Sequence, residues 1–198
     1  NGIGWTNCPG CNASSVGQYV EEALRLADDA GIAEMAHSIV GIVGVGHVGT
    51  DVLQRLERRG MHVLLCDPPR AEREGGAQFC SLEHLLAGSD IVSLHLPLDS
   101  TTEKMADRVF FDRMRQNAFF INTCRGEVVD EAALKEARPK LGPVIIDTWN
   151  NEPFIDGELL SMADIATPHI SGYSLQGKQK GTAAAVRAVA RVFEITEL

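Results

Sequence analysis

Short apolar runs recur along this chain at a spacing that few folds accommodate. They stand at Ile39–Val43, His62–Cys66, Ile91–His95, Ala118–Asn122 and Val144–Asp147, with a weaker run around Ile165–Thr167. Amphipathic stretches lie between them at Val48–Arg59, Ser81–Ala87, Asp107–Met114 and Asp130–Ala137. The repeat length, roughly 20 to 30 residues, is that of a strand–helix unit. Runs that are apolar almost throughout read as parallel strands covered on both faces. Right-handed crossovers then predict an α/β fold with a doubly wound parallel sheet. An earlier helix is predicted from Ser15 to Asp29. Ser15 and Gln18 have capping-box spacing, and Val16, Val20, Ala23, Leu24 and Ala27 fall on one face. A closing helix is predicted from Leu175 to Glu194, with an alanine-rich middle. Pro68–Gly76, rich in proline, glycine and charge, reads as a mobile loop.

The first repeat carries chemistry. Gly44-Val45-Gly46-His47-Val48-Gly49 follows the first run and opens the next helix. Gly44 permits the tight turn, Gly46 lets a pyrophosphate approach the backbone, and Gly49 lets helix and strand pack closely. The helix N-terminus offers free N–H groups to phosphate. The second run ends in Asp67, about 20 residues on, where a dinucleotide fold places its ribose acceptor. A carboxylate there repels a 2′-phosphate, so the expected cofactor is NAD rather than NADP. Arg70, close behind, moderates that repulsion. His95, with Pro97 beside it, ends the third run and either touches cofactor or caps the strand.

The later runs end in other functional groups. Asn122-Thr123-Cys124-Arg125-Gly126 places an arginine to clamp a carboxylate. Glu152 follows the fifth run, and His169 follows Thr167-Pro168 after the sixth. Oxidation of a 2-hydroxy acid needs a cation for the substrate carboxylate and a base for the hydroxyl proton. Arg125 and His169 supply these. Glu152 supports the histidine, since a neighbouring carboxylate favours its protonated ring.

Composition narrows the alternatives. The chain has 198 residues and is 44% hydrophobic, enough for a sizeable core. A net charge of -9 disfavours nucleic acid and anionic membranes as partners. No apolar run nears the roughly 20 residues that span a bilayer, and Asn1 to Gly10 do not resemble a signal peptide. Five scattered cysteines argue against a disulfide framework and for the cytoplasm. Cys8-Pro9-Gly10-Cys11 lacks the second pair of a zinc site, so no metal is expected and the two read as loop thiols.

Four segments together resemble the D-isomer-specific 2-hydroxyacid dehydrogenases. They are Val43–Gly49, Asn122–Asp130, Asp147–Pro153 and Thr167–Ile170. The resemblance covers nearly the whole chain and implies a Rossmann-like NAD-binding domain. It makes Arg125 the carboxylate-binding residue, His169 the acid/base and Glu152 its support. Formate-dehydrogenase relatives carry glutamine at the position of Glu152. On the cofactor side the resemblance places Gly44, Gly46, His47, Val48, Gly49, Asp67, His95, Pro97, Thr123, Cys124 and Asp147. Asp147 is implied to contact the nicotinamide amide. Pro9–Ala13, Leu64–Ala71 and His169–Lys178 resemble the branch that oxidises a small phosphorylated 2-hydroxy acid. D-3-phosphoglycerate or another D-2-hydroxy acid is the alternative substrate, and an NAD-responsive regulatory module is the alternative of another class. Tyr173, Lys178 and Lys180 are candidates for the substrate phosphate. The resemblance also implies a homodimer.

Residues 1–14 are expected to be the edge of an absent substrate domain and its hinge. Residues 15–174 form the NAD-binding domain, and residues 175–198 a return helix. The chain is thus expected to be a piece of a longer one, retaining NAD binding with little or no turnover by itself.

Overall fold

The computed structural model describes residues 5–30 and 37–195. The expected hinge edge at residues 1–4 and the end of the return segment at residues 196–198 lie outside the described residues. The strands are β1 (Ile39–Val43), β2 (His62–Cys66), β3 (Ile91–Leu94), β4 (Phe119–Asn122), β5 (Val144–Ile146) and β6 (Ile165–Ala166). They form one parallel sheet in the order β2-β1-β3-β4-β5-β6. The order reverses beside β1, so the sheet is doubly wound.

The helices are α1 (Ala13–Asp29), α2 (His47–Arg58), α3 (Pro68–Glu74), α4 (Leu82–Gly88), α5 (Arg108–Arg113), α6 (Glu131–Ala137), α7 (Gly157–Met162) and α8 (Leu175–Val192). The strands bury alternate side chains in two cores, one on each face. Val40, Ile42, Ile91, Phe119, Ile121 and Ile145 meet α1 and α2 through Val20, Leu24, Val52 and Leu56. Val43, Val92, Leu94, Phe120, Val144 and Ile146 meet α4 to α7 through Leu85, Phe110, Phe111, Leu134 and Leu159. The period-two alternation of a strand, applied to residues apolar on both sides, produces this three-layer arrangement.

Two expectations are corrected, and one helix is added. The first helix starts at Ala13, with Asn12 as the N-cap and no side-chain cap. Ser15 therefore lies inside the helix, and its hydroxyl bonds that of Ser174 instead. Pro68–Gly76 is helical as far as Glu74, because two prolines pre-set the first turn and Asp67 accepts the Arg70 N–H as its cap. The short α7, capped by Asp156, carries too little periodicity to be read from sequence. No helix among the described residues is long and apolar enough to cross a membrane.

Phe110, Phe111 and Phe120 meet edge to face, with ring centroids 5.1 to 6.3 Å apart. Phe120 is wholly buried at the centre of the sheet. Phe120→Ala is expected to lower unfolding free energy by about 3–5 kcal/mol, read from denaturant midpoints at constant slope. A loss below about 1 kcal/mol would contradict this packing.

Candidate active site

Register determines which residues meet. Cys66 pairs with Val43, Val43 with Leu94, Leu94 with Asn122, Asn122 with Ile146, and Ile146 with Ala166. These are the last residues of their strands, so the strands end in one row. The next residue of each chain segment forms a second row: Asp67, Gly44, His95, Thr123, Asp147 and Thr167. Backbone bonds extend the ladder into it. Gly44 N donates to Cys66 O, His95 N to Val43 O, Asp147 N to Asn122 O, and Thr167 N to Ile146 O.

At the β1 end, Gly44 has φ 88°, and a Cβ there would come 2.5 Å from the His95 carbonyl oxygen. Gly49 packs against the same turn, since its Cβ would lie 2.1 Å from Gly44 O. At Gly46 nothing lies within 4 Å, which leaves space beside the start of α2. His47 is exposed there and Val48 half-buried. Asp67 ties this loop to β2. Its Oδ2 accepts the Val45 N–H at 2.8 Å and its Oδ1 the Arg70 N–H at 2.9 Å. An ionised carboxylate offers about four acceptor sites, so Asp67 keeps capacity for hydroxyl donors. The Arg70 guanidinium is engaged as a brace on the loop, donating to Val45 O at 2.7 Å and to Glu74.

A cavity of about 480 Å³ opens between these groups. Gly44, Gly46, Asp67, His95 and Pro97 line it, together with Pro68, Leu82, Thr102 and Met105, which sequence reading did not single out. Among the described residues, four buried side-chain polar atoms have no hydrogen-bond partner: His95 Nδ1, Thr123 Oγ1 and Thr148 Oγ1 just beyond strand ends, and Ser89 Oγ before β3. His95 Nε2 is shared with Ser93 Oγ at 2.9 Å, and burial lowers its pKa from 6.5 to about 4. The ring is therefore neutral near pH 7. Cys124 is buried against Asn122 Oδ1 at 3.1 Å, and burial raises its thiol pKa. An open phosphate cradle, an acidic ribose acceptor and an unpartnered ring nitrogen on one crevice fit a dinucleotide.

At the other end of the row Asp147 is fully buried. Its carbonyl oxygen accepts the His169 N–H at 2.8 Å. Its Oδ1 accepts the Ile170 N–H at 2.8 Å and the Thr167 hydroxyl at 2.6 Å. Its Oδ2 accepts the Ser171 N–H at 2.9 Å. The structure gives this carboxylate the task of holding the histidine loop. His169 has φ 53°, a left-handed conformation that costs a non-glycine residue about 1–3 kcal/mol. Bonds from successive amides to a charged group, each contributing about 1.5–3 kcal/mol, offset that cost. Because the Thr167 hydroxyl gives its only hydrogen to Asp147, Tyr19 OH must be the donor in its 2.7 Å bond to Thr167 Oγ1. Burial pushes the Tyr19 phenol up, which keeps that donor protonated. Tyr19 gave no sequence signal, because its partner lies in a distant repeat.

Glu152 is fixed through one oxygen and works through the other. Oε1 accepts the Trp149 N–H at 2.7 Å, and Oε2 meets His169 Nδ1 at 2.8 Å. The loop is braced by Glu131 of α6, which accepts the Asn150 N–H at 3.0 Å. His169 thus presents Nε2 outward, with its side chain 45% exposed. The exposed Arg125 follows β4 and donates to Cys124 O, with no carboxylate partner among the described residues. Tyr173 and Lys178 pair with each other, the ammonium 3.8 Å from the ring centroid. No cluster of potential metal ligands occurs among the described residues.

Comparison with known proteins supplies independent context. Residues 15–171 match the family model for the D-isomer specific 2-hydroxyacid dehydrogenase NAD binding domain. An erythronate-4-phosphate dehydrogenase of Bacteroides fragilis is 42% identical over 98% of this chain and 58% of its own length. One from Chromohalobacter salexigens is 43% identical over 97% of this chain and 52% of its own. The chain therefore spans about half the length of the curated relatives it matches. Among solved structures, NAD-dependent formate dehydrogenase from Staphylococcus aureus in complex with NAD aligns with a TM-score of 0.77 at 26% identity, covering 96% of this chain and 65% of that one. D-lactate dehydrogenase from Aquifex aeolicus, complexed with NAD and lactic acid, gives 0.76 at 25% identity, covering 92% and 67%.

Two outcomes are expected from this geometry. His95 binds its proton less readily folded than unfolded, so the unfolded state holds more protons between about pH 4 and 6.5. Its contribution is present above pH 6.5 and fades as pH falls toward 4, by at most about 3 kcal/mol. Thermal melts of His95→Gln should lose part of this acid sensitivity; an unchanged pH dependence would contradict it. Asp67→Ala should weaken NAD binding about tenfold or more and narrow the preference over NADP. Because Asp67 also caps α3, the NAD-to-NADP affinity ratio is the decisive reading, and an unaltered ratio removes Asp67 from ribose recognition.

Proposed function

The chain belongs to the D-isomer-specific 2-hydroxyacid dehydrogenase family, as its NAD-binding domain, and on that premise we propose that it serves the oxidation of 4-phospho-D-erythronate to a 2-oxo-4-phosphooxybutanoate that keeps its 3-hydroxyl. This is the first reaction class suggested by the relatives it matches over nearly its whole length. The observation that carries the reading is the His169–Glu152 pair at 2.8 Å, on the same sheet edge as the glycine loop and Arg125.

Bound NAD supplies the hydride acceptor for C2 of the hydroxy acid. The glycine loop, the start of α2 and Asp67 would hold it, with His95 offering an unpartnered ring nitrogen in the crevice and Thr123 an unpartnered hydroxyl on the same sheet edge. Arg125 receives the substrate carboxylate through two parallel hydrogen bonds and polarises the forming ketone. His169 takes the hydroxyl proton at Nε2, because Nδ1 is committed to Glu152. Glu152 fixes the ring orientation and stabilises the imidazolium as it forms. Asp147 keeps the imidazole aimed by locking the left-handed turn beneath it. The reading includes a homodimer and a reducing cytoplasm, the latter in keeping with five free cysteines.

The test uses the protein that carries this chain, with 4-phosphoerythronate and 3-phosphoglycerate compared by kcat/KM. The phosphoerythronate value is expected to be higher by at least about tenfold. His169→Ala should lower kcat by about a hundredfold or more while NAD affinity stays unchanged. A preference for 3-phosphoglycerate overturns the substrate, and undiminished kcat in the variant overturns the role of His169.

A further inference from the structure

One motif takes no part in the site above. Cys8-Pro9-Gly10-Cys11 forms a closed turn immediately before α1. Cys11 N donates to Cys8 O at 3.3 Å, and Gly10 has φ 75°. Proline at the second position and a positive-φ glycine at the third are the residues of a type II turn. Such a turn keeps its first and last Cα atoms within about 7 Å, overlapping the roughly 4.4–6.8 Å window that a disulfide requires. Both cysteines are free and half-buried. The Cys8 thiol donates to Lys180 O at 3.7 Å. Partial burial, and then the neighbouring Cys11 thiol, raise the Cys8 pKa. Cys66 and Cys124, by contrast, are buried in the sheet core.

The turn is wedged between two functional elements. A Cβ added at Gly10 would lie 2.9 Å from Cγ of His47, so the turn rests on the imidazole that starts α2 beside the phosphate cradle. On the other side, Cys11 O lies 3.5 Å from the position of a Cβ on Gly177 of α8. A displacement of the turn at Gly10 toward α2 would therefore meet His47, one residue from Gly46.

We propose that Cys8 and Cys11 form a reversible dithiol–disulfide site that takes small-molecule disulfides, and that the glycine loop reads its state through His47. One thiol, as thiolate, attacks a sulfur of the external disulfide, forming a mixed disulfide and releasing one external thiolate. The second thiolate attacks the protein sulfur of that bond, forming the Cys8–Cys11 bridge and releasing the other. The external disulfide is reduced to two thiols, and the protein dithiol loses two protons and two electrons. An external dithiol reverses both steps. Cytoplasmic disulfides of this kind are transient and regulatory rather than structural.

The chain is equilibrated with defined ratios of reduced and oxidised glutathione, trapped by alkylation and mapped by mass. The expected product is a peptide containing Cys8 and Cys11, lighter by two hydrogens and restored by reductant. Cys8→Ser and Cys11→Ser should each accumulate a glutathione adduct on the remaining cysteine. NAD affinity of the wild-type chain should differ about fivefold between the oxidised and reduced forms, and not respond to oxidation in Cys8→Ser. By reciprocity, saturating NAD shifts the glutathione ratio at half-oxidation by the same factor. Persistent single adducts in the wild type, or a bridge at Cys66 and Cys80 only, overturns the site. A Cys8–Cys11 bridge that leaves NAD affinity unchanged overturns the link to His47. Because the readouts are mass and NAD binding, failure here leaves the proposed substrate and His169 untouched.

Discussion

Parallel pairing in a common register is the constraint from which the rest of this molecule follows. Each strand ends in a row running from Cys66 through Val43, Leu94, Asn122 and Ile146 to Ala166. Slanted parallel hydrogen bonds leave little freedom in where a strand stops relative to its neighbours. The residues that emerge next, Asp67, Gly44, His95, Thr123, Asp147 and Thr167, are therefore delivered to one edge by the backbone. The reversal of strand order beside β1 opens the crevice there, and the cavity lined by Gly44, Asp67 and His95 occupies it.

A rigid edge does not by itself aim a catalytic side chain. His169 lies three residues beyond β6, in a conformation that ordinary residues avoid. Asp147 resolves this by accepting three consecutive amides and the Thr167 hydroxyl from a position with no solvent access. Unpaired, such a buried carboxylate would be strongly destabilising; with its acceptors filled by the loop, it makes the loop's shape and its own burial mutually dependent. Tyr19 brings α1 into the same network, so the helix next to the Cys8–Cys11 turn is joined to the acid/base loop.

The legible part of the sequence was its local periodicity. β1 and β2 begin and end where the apolar runs do, and Asp130 and Asp107 cap the helices expected after them. Gly44, Gly46, Asp67 and His95 were recognisable because a glycine turn and strand-end polar groups have local spacing, and they share one cavity. Pro68–Gly76 misled because composition weighed its prolines and glycines without their positions: the prolines occupy a helix start, where they are favoured. Ser15 misled because its capping-box spacing was matched by chance inside a longer helix.

The sequence alone determined the layer order of this protein, its nucleotide loop and the residue types at its strand ends, because each depends on neighbours a few positions away. Tertiary structure alone decided what those residues do with one another. Asp147 became the clamp on the His169 loop, Arg70 a brace on the glycine loop, and Tyr19 a donor toward the acid/base turn. The physical reason is that a hydrogen-bonding group buried by the fold must find its partner among whatever the fold brings near it, and sequence spacing carries no record of that choice.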